Sequence, residues 1–272
     1  MLEPLSNPFI IRAIIAVILI AFVSSAIGSL TIFRGQSFLV AGIAHGALAG
    51  AALAIFLDYY GIIPGINPML GAALFGLVMA LAIGYFSGRD SREKIDTIIG
   101  ISFALAMSLA ILFISMIREY AVQAWGLIMG DLLLLTSVDL LLLIIISSVT
   151  VFLVTLFYRE FVFISFDEEG AYSLGLRVML YNYLLLVLTA LSIVVLLKGV
   201  GAILVYVMLI IPAAAANNIA NTTSNVMILS LLFALISGLL GLAISLIFNV
   251  APSAVAGLIA TVIYIITLLI KR

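Results

Sequence analysis

The chain has 272 residues, of which 66% are hydrophobic and 8% charged, with a formal net charge of -1 and no cysteine. Soluble domains carry roughly 45–50% apolar and about 25% charged residues, so this composition excludes a soluble domain and points to a bilayer. It also excludes disulfides and thiolate metal sites, and the absence of clustered cations excludes nucleic acid as a partner.

Crossing about 30 Å of hydrocarbon takes roughly 20 residues of helix, and nine apolar runs reach that scale. In chain order they are Phe9 to Phe33, Leu39 to Leu57, Met69 to Phe86, Ile95 to Ile117, Val138 to Tyr158, Val178 to Leu197, Val200 to Ala220, Val226 to Phe248 and Ala254 to Ile270. Lipid offers backbone amides no partners, and nothing here alternates as membrane-barrel strands do, so the fold class is all-α. It is a polytopic transmembrane helical bundle with eight to nine spanning helices, forming a single domain over residues 1–272. The suspect among the nine is Val200 to Ala220, because Pro212 removes a backbone donor inside it.

The first run is too long and too poor in small residues at a cleavage-like position for a removable signal peptide, and reads as a permanent helix. Its Ser24, Ser25, Gly28 and Ser29 are small enough for close helix contact. In the second run Gly42, Gly46 and Gly50 recur every four residues and lay bare backbone along one helix face, beside the chain's single histidine, His45. An ionisable group at membrane depth marks a functional candidate facing a bundle interior or water cavity, and neutral imidazole binds divalent transition metals. An interhelical hydrogen bond accounts for His45 equally well.

Gly61, Pro64, Gly65 and Pro68 mark a turn-rich loop after the second run. Asp96 suits a helix start. Arg118 to Ser137, with Tyr120, Trp125 and Asp131, reads as an interfacial helix on the outer face. The sharpest feature is Ser165 to Leu176, a polar island holding Asp167, Glu168 and Glu169. Asp167 suits the cap of a short helix, and Gly170, Ala171 and Gly175 follow at the spacing of a helix and a turn. Beyond it, Asn217 and Asn218 lie past Pro212, either at a cytoplasmic gate or at a helix end in water. Ser237, Gly238 and Gly241 are further contact residues.

Lys and Arg in short loops favour the cytoplasm. An external N-terminus places Arg34, Arg89, Arg92, Lys94, Arg159, Arg177, Lys271 and Arg272 inside and leaves Arg12, Arg118 and Lys198 outside, eight against three. That puts the acidic island and the C-terminus in the cytoplasm. No phosphate-binding Gly-rich loop precedes a Lys, so any ATPase is a separate chain.

These features together resemble the integral-membrane permease subunit of zinc/manganese/iron ATP-binding-cassette importers. The resemblance is carried by Ala44-His45 with its glycines, Asp96-Thr97-Ile98-Ile99-Gly100-Ile101, Gly130-Asp131-Leu132-Leu133, Phe166-Asp167 to Gly175, and Val200 to Leu204 leading into Leu209 to Ala214. It implies a coupling segment at about 160–177, with Asp167, Glu168, Glu169, Ala171 and Gly175 docking on an ATPase. It implies as partners two ATPase subunits, an extracytoplasmic metal-binding protein and a second copy of this chain. It implies no enzyme activity in this chain, no permanently bound cofactor, and a transported divalent metal, zinc or manganese, with His45 a transient ligand. Gly42, Gly46, Gly50, Pro212, Asn217 and Asn218 fall to helix packing or the path.

The departure is at Ala41, where the family commonly carries an Asp four residues before the histidine, on the same helix face. Asn217 and Asn218 likewise replace an Arg-bearing tail. A chelated metal or another small solute is therefore an alternative cargo. A secondary transporter driven by an ion gradient is a more distant alternative, since almost every Asp and Glu falls at a predicted helix end or loop, and an intramembrane enzyme would need a catalytic pair that the lone His45 does not supply.

Overall fold

The computed structural model describes residues 7–87, 92–117, 126, 130 and 132–271. Every regular element among the described residues is helical. The helices are α1 (Pro8–Phe33), α2 (Phe38–Tyr59), α3 (Pro68–Ser87), α4 (Arg92–Met116), a 3₁₀ turn at Leu132–Leu134, α5 (Ser137–Leu156), α6 (Tyr158–Phe166), α7 (Glu168–Ser173), α8 (Val178–Val200), α9 (Ala202–Ile219), α10 (Thr223–Phe248) and α11 (Pro252–Lys271).

Among the described residues, eight helices are long and apolar enough to cross a membrane, and α9 contributes only the shorter apolar piece Leu204–Ile219. The ninth predicted run is this piece. Its predicted start, Val200, belongs to the end of α8, and Gly201 at φ 85° breaks the two helices apart. Of the predicted interfacial helix at Arg118 to Ser137, residues 118–125, 127–129 and 131 lie outside the described residues, and the described part holds the 3₁₀ turn Leu132–Leu134 and the start of α5 at Ser137.

The chain divides into two compact units. One comprises residues 38–130 and 182–205. Its centre is α2, where 89% of the spanning window is buried, against 17% in α4. A helix apolar all round is a buried helix, and α2 is sheathed by its neighbours. Ala47, Leu48, Ala51 and Ile55 pack with Ala72, Ala110, Val194 and Leu197. The tightest point is the crossing of α2 and α3, where a Cβ added to Gly50 would land on the Gly71 carbonyl oxygen, and one added to Gly71 on that of Gly50. Small residues let membrane helices approach until dispersion forces act between backbones.

The other unit comprises residues 1–37, 131–181 and 206–272. Its helices start on their own side chains: Asn7 accepts from the Phe9 amide at 3.0 Å ahead of Pro8, Thr136 and Asp139 form a capping box on α5, and Thr222 accepts from the Asn225 amide at 3.2 Å. Each satisfies amides that a helix start leaves open. Arg12 sits 5.0 Å from the Phe9 ring centroid and donates through Nη1 to the Leu135 carbonyl at 2.9 Å, so its charge is occupied within the protein. α10 and α11 form a hairpin turned at Asn249 in the left-handed region, φ 53°, with Gly241 set against Ala256.

Candidate functional site

His45 is buried, 8% exposed, on α2. Its Nδ1 lies 2.9 Å from the Ala41 carbonyl oxygen. A carbonyl only accepts, so Nδ1 carries a proton, and in the neutral ring Nε2 is left with its lone pair, the arrangement in which imidazole serves as a ligand. The ring meets Phe103 edge-on, centroids 4.6 Å apart at 64°. Position 41 thus contributes its backbone oxygen as the group that orients the histidine. Among the described residues no three His, Cys, Asp or Glu side chains gather to hold an ion.

The glycine face beside His45 is used unevenly. A Cβ at Gly50 would strike backbone and one at Gly46 would come within 2.5 Å of Met79 Cγ, whereas one at Gly42 would find Ile83 and Ile99 at an ordinary 3.6 to 3.7 Å. Gly46 and Gly50 therefore admit α3, and Gly42 does not require its lack of a side chain. Sequence spacing offered three equivalent positions; only the facing residues, Gly71, Phe75 and Met79, separate them.

In the other unit the acidic island is a folded elbow. Asp167 Oδ1 accepts from the Gly170 amide at 2.8 Å and caps α7. Glu168 and Glu169 occupy the first turn, where carboxylates complement the open amides. The far end closes as a Schellman motif: Leu176 N donates to the Ala171 oxygen at 3.1 Å and Gly175 N to the Tyr172 oxygen at 3.0 Å, with Gly175 at φ 83°. Ala171 is fully buried and packs with Ile164 and Val178, and Leu176 covers the same cluster. The elbow is anchored through one small residue and shows Asp167, Glu168, Glu169, Tyr172 and Leu174 outward. Phe166 and Leu174, 65% and 75% exposed, give it an apolar rim beside its acids.

Pro212 lies inside α9. It cannot donate to the Met208 carbonyl, which loosens the helix there. The next carbonyl, of Leu209, receives Ser24 Oγ at 3.2 Å and faces Gly28, where a Cβ would collide with it. Ser25 Oγ donates to the Met227 carbonyl of α10 at 2.7 Å. Ser24 to Gly28 form a π turn, the one wide turn of α1, a feature that accompanies functional sites. Asn217 is exposed at the end of α9, and Asn218 Nδ2 donates to Thr267 Oγ1 at 3.2 Å, tying that end to α11.

The model of the ABC 3 transport family matches residues 6–271. The manganese transport system membrane protein MntC of Listeria monocytogenes serovar 1/2a is 38% identical over 261 residues, 96% of this chain and 90% of that protein. The manganese import system permease protein ScaB of Streptococcus gordonii is 32% identical over 262 residues, 96% of this chain and 91% of its own length. Among solved structures, PsaBC from Streptococcus pneumoniae in complex with Fab superposes with a TM-score of 0.83 at 32% identity, covering 98% of this chain and 92% of that one.

Proposed function

The chain belongs to the ABC 3 transport family, and from that premise we propose that it is the multi-pass membrane permease of an ATP-driven importer of divalent metal, manganese before zinc. The observation that carries ATP coupling is the elbow from Asp167 to Gly175, capped at both ends, anchored at Ala171 and outward-facing in its acids. Manganese is supported by the names of relatives matched along nearly the whole chain.

Five spanning helices precede the elbow. With the N-terminus outside, the elbow lies in the cytoplasm together with Arg34, Arg89, Arg92, Lys94, Arg159 and Arg177, six cations against Arg12, Arg118 and Lys198 outside. This placement does not depend on α9, which comes later in the chain. A cytoplasmic C-terminus does depend on α9 crossing.

Two ATPase subunits engage the elbows of two copies of this chain, and an extracytoplasmic protein delivers the ion. His45 passes it through Nε2, a single neutral donor that holds a cation briefly. Weak, shared coordination is what a conducting path needs, since a complete cage would retain its cargo. Ala41 in place of a carboxylate keeps that hold light.

His45→Ala is expected to lower manganese uptake about tenfold in vesicles holding the chain with its ATPase and binding protein, the worth of one modest ligand contact near 1.4 kcal/mol. Uptake is to be scanned over manganese, zinc and iron(II). Preference for manganese in the unaltered chain, lost or flattened in the variant, supports the reading; transport of a chelate and of none of the free ions overturns the cargo assignment.

A further inference from the structure

Resting on the importer reading above, we propose that Arg34 is the joint that passes movement of the elbow to the first membrane helix, a positioning residue for transport. α1 ends at Phe33, and the chain reverses at Gly35, φ 68°, before α2. At that end two neighbouring side chains reach the last residues of α6, where the elbow begins. The Phe33 ring lies 5.6 Å from that of Phe166, and Arg34 Nε donates to Ser165 Oγ at 3.4 Å. Ser165 spends its own proton on the Phe161 carbonyl at 2.6 Å, so its lone pair is what receives Arg34. Phe166 and Ser165 are the last residues before the cap Asp167. The grip therefore falls on the final turn of α6, immediately ahead of the outward-facing acids.

The same helix grips other elements higher up. Ser24 and Gly28 meet the Leu209 carbonyl beside Pro212, and Ser25 bonds the Met227 carbonyl. α1 thus connects the elbow at one end with the loosened turn of α9 and with α10 at the other, all within one compact unit. A hydrogen-bonded helix carries a displacement along its axis because its own bonds resist stretching, which is the contiguous physical link that coupling between sites requires.

Arg34 is incompletely satisfied for a static brace. Its Nη2 is shielded from solvent and has no hydrogen-bond partner among the described residues, and its Nε bond is long. Burial pulls its pKa down to about 10, opposed by the Glu168 carboxylate, so the group stays cationic at neutral pH. A shielded charge with donors in reserve is a costly way to hold two helices that apolar packing would hold as well. It suits a contact remade as the elbow shifts, because the guanidinium fork offers five donors in several directions.

The test uses the chain with its ATPase and binding protein in vesicles, with manganese uptake and ATP hydrolysis read from the same preparation. For Arg34→Ala the ATPase remains bound and hydrolysing while manganese moved per ATP falls about five- to tenfold. Ser165→Ala lowers the ratio less, and adding it to Arg34→Ala lowers it no further. Arg34→Lys, which keeps the charge and loses the fork, falls between. An unchanged ratio overturns the assignment, as does a loss of uptake and hydrolysis in equal proportion, which marks a structural residue. If Arg34→Ala does not accumulate, the ratios of Arg34→Lys and Ser165→Ala decide by the same criterion. A wild-type chain that moves no metal with ATP overturns the importer reading itself, a result distinct from any change confined to Arg34.

Discussion

Gly175→Val reduces ATP-dependent metal uptake to background while the chain remains in the membrane at its normal level. Gly175 sits at φ 83°, and a β-branched residue held there costs roughly 1–2 kcal/mol. The valine chain escapes that cost by leaving the left-handed region, which breaks the amide bonds from Gly175 and Leu176 to the oxygens of Tyr172 and Ala171. α7 has six residues and is too short to persist without its closing motif. The acids then lose the fixed geometry that the proposed docking on an ATPase requires. A Cβ at Gly175 would meet nothing among the described residues, so conformation decides the effect, and Gly175→Asn, which tolerates the left-handed region, retains most uptake. Glu169→Lys separates recognition from folding: the side chain is exposed at the first turn, so charge reversal acts on the partner and spares the elbow. Uptake equal to wild type in both variants contradicts the role given to this segment.

Gly50→Leu has the largest effect on the protein itself. The added Cβ lands on the Gly71 carbonyl, and Phe75 Cβ lies 2.5 Å from it, so both near neighbours belong to the body of α3. Backbone cannot rotate aside as Met79 can opposite Gly46; the helices must separate, and contacts along the crossing are lost together. Overpacking of this kind costs about 1–3 kcal/mol or more, which for a chain of this size is a drop of roughly 2–10 °C in the melting temperature of the detergent-purified protein. Gly42→Ala and Gly100→Ala are the controls: the first finds ordinary contact and the second open space, so neither lowers the midpoint. Equal losses in all three would show that helix flexibility, rather than close approach, sets the requirement for glycine.

Helix positions were legible because a bilayer imposes length: the run marked from Phe9 to Phe33 is the helix Pro8–Phe33, and Met69 to Phe86 is contained in Pro68–Ser87. The elbow was legible for the opposite reason, since three adjacent carboxylates and a closing Gly cannot be mistaken in an apolar chain. What failed to show was anything carried by facing. Among helices apolar on every side, hydropathy says nothing about which side meets which neighbour, so Gly71 opposite Gly50, Phe103 on His45 and the π turn at Ser24 to Gly28 had no sequence signal. Arg34 was visible only as a charge favouring the cytoplasm. Its link to Ser165 spans 131 positions in the chain, and the one hint was its place in a connection of four residues, Arg34 to Ser37, too short to carry a long side chain far from protein. Val200 to Ala220 reads as one run because composition is continuous across Gly201, where the backbone is not.

An elbow that faces the cytoplasm and seats an ATPase is accessible from one side only and is covered when the ATPase binds. The chain has no cysteine, so Glu169→Cys introduces a single thiol at the elbow for a membrane-impermeant maleimide. Labelling from the cytoplasmic face only, suppressed when the ATPase is bound, is the predicted result. Labelling from the external face, or cytoplasmic labelling that the ATPase leaves untouched, would contradict it.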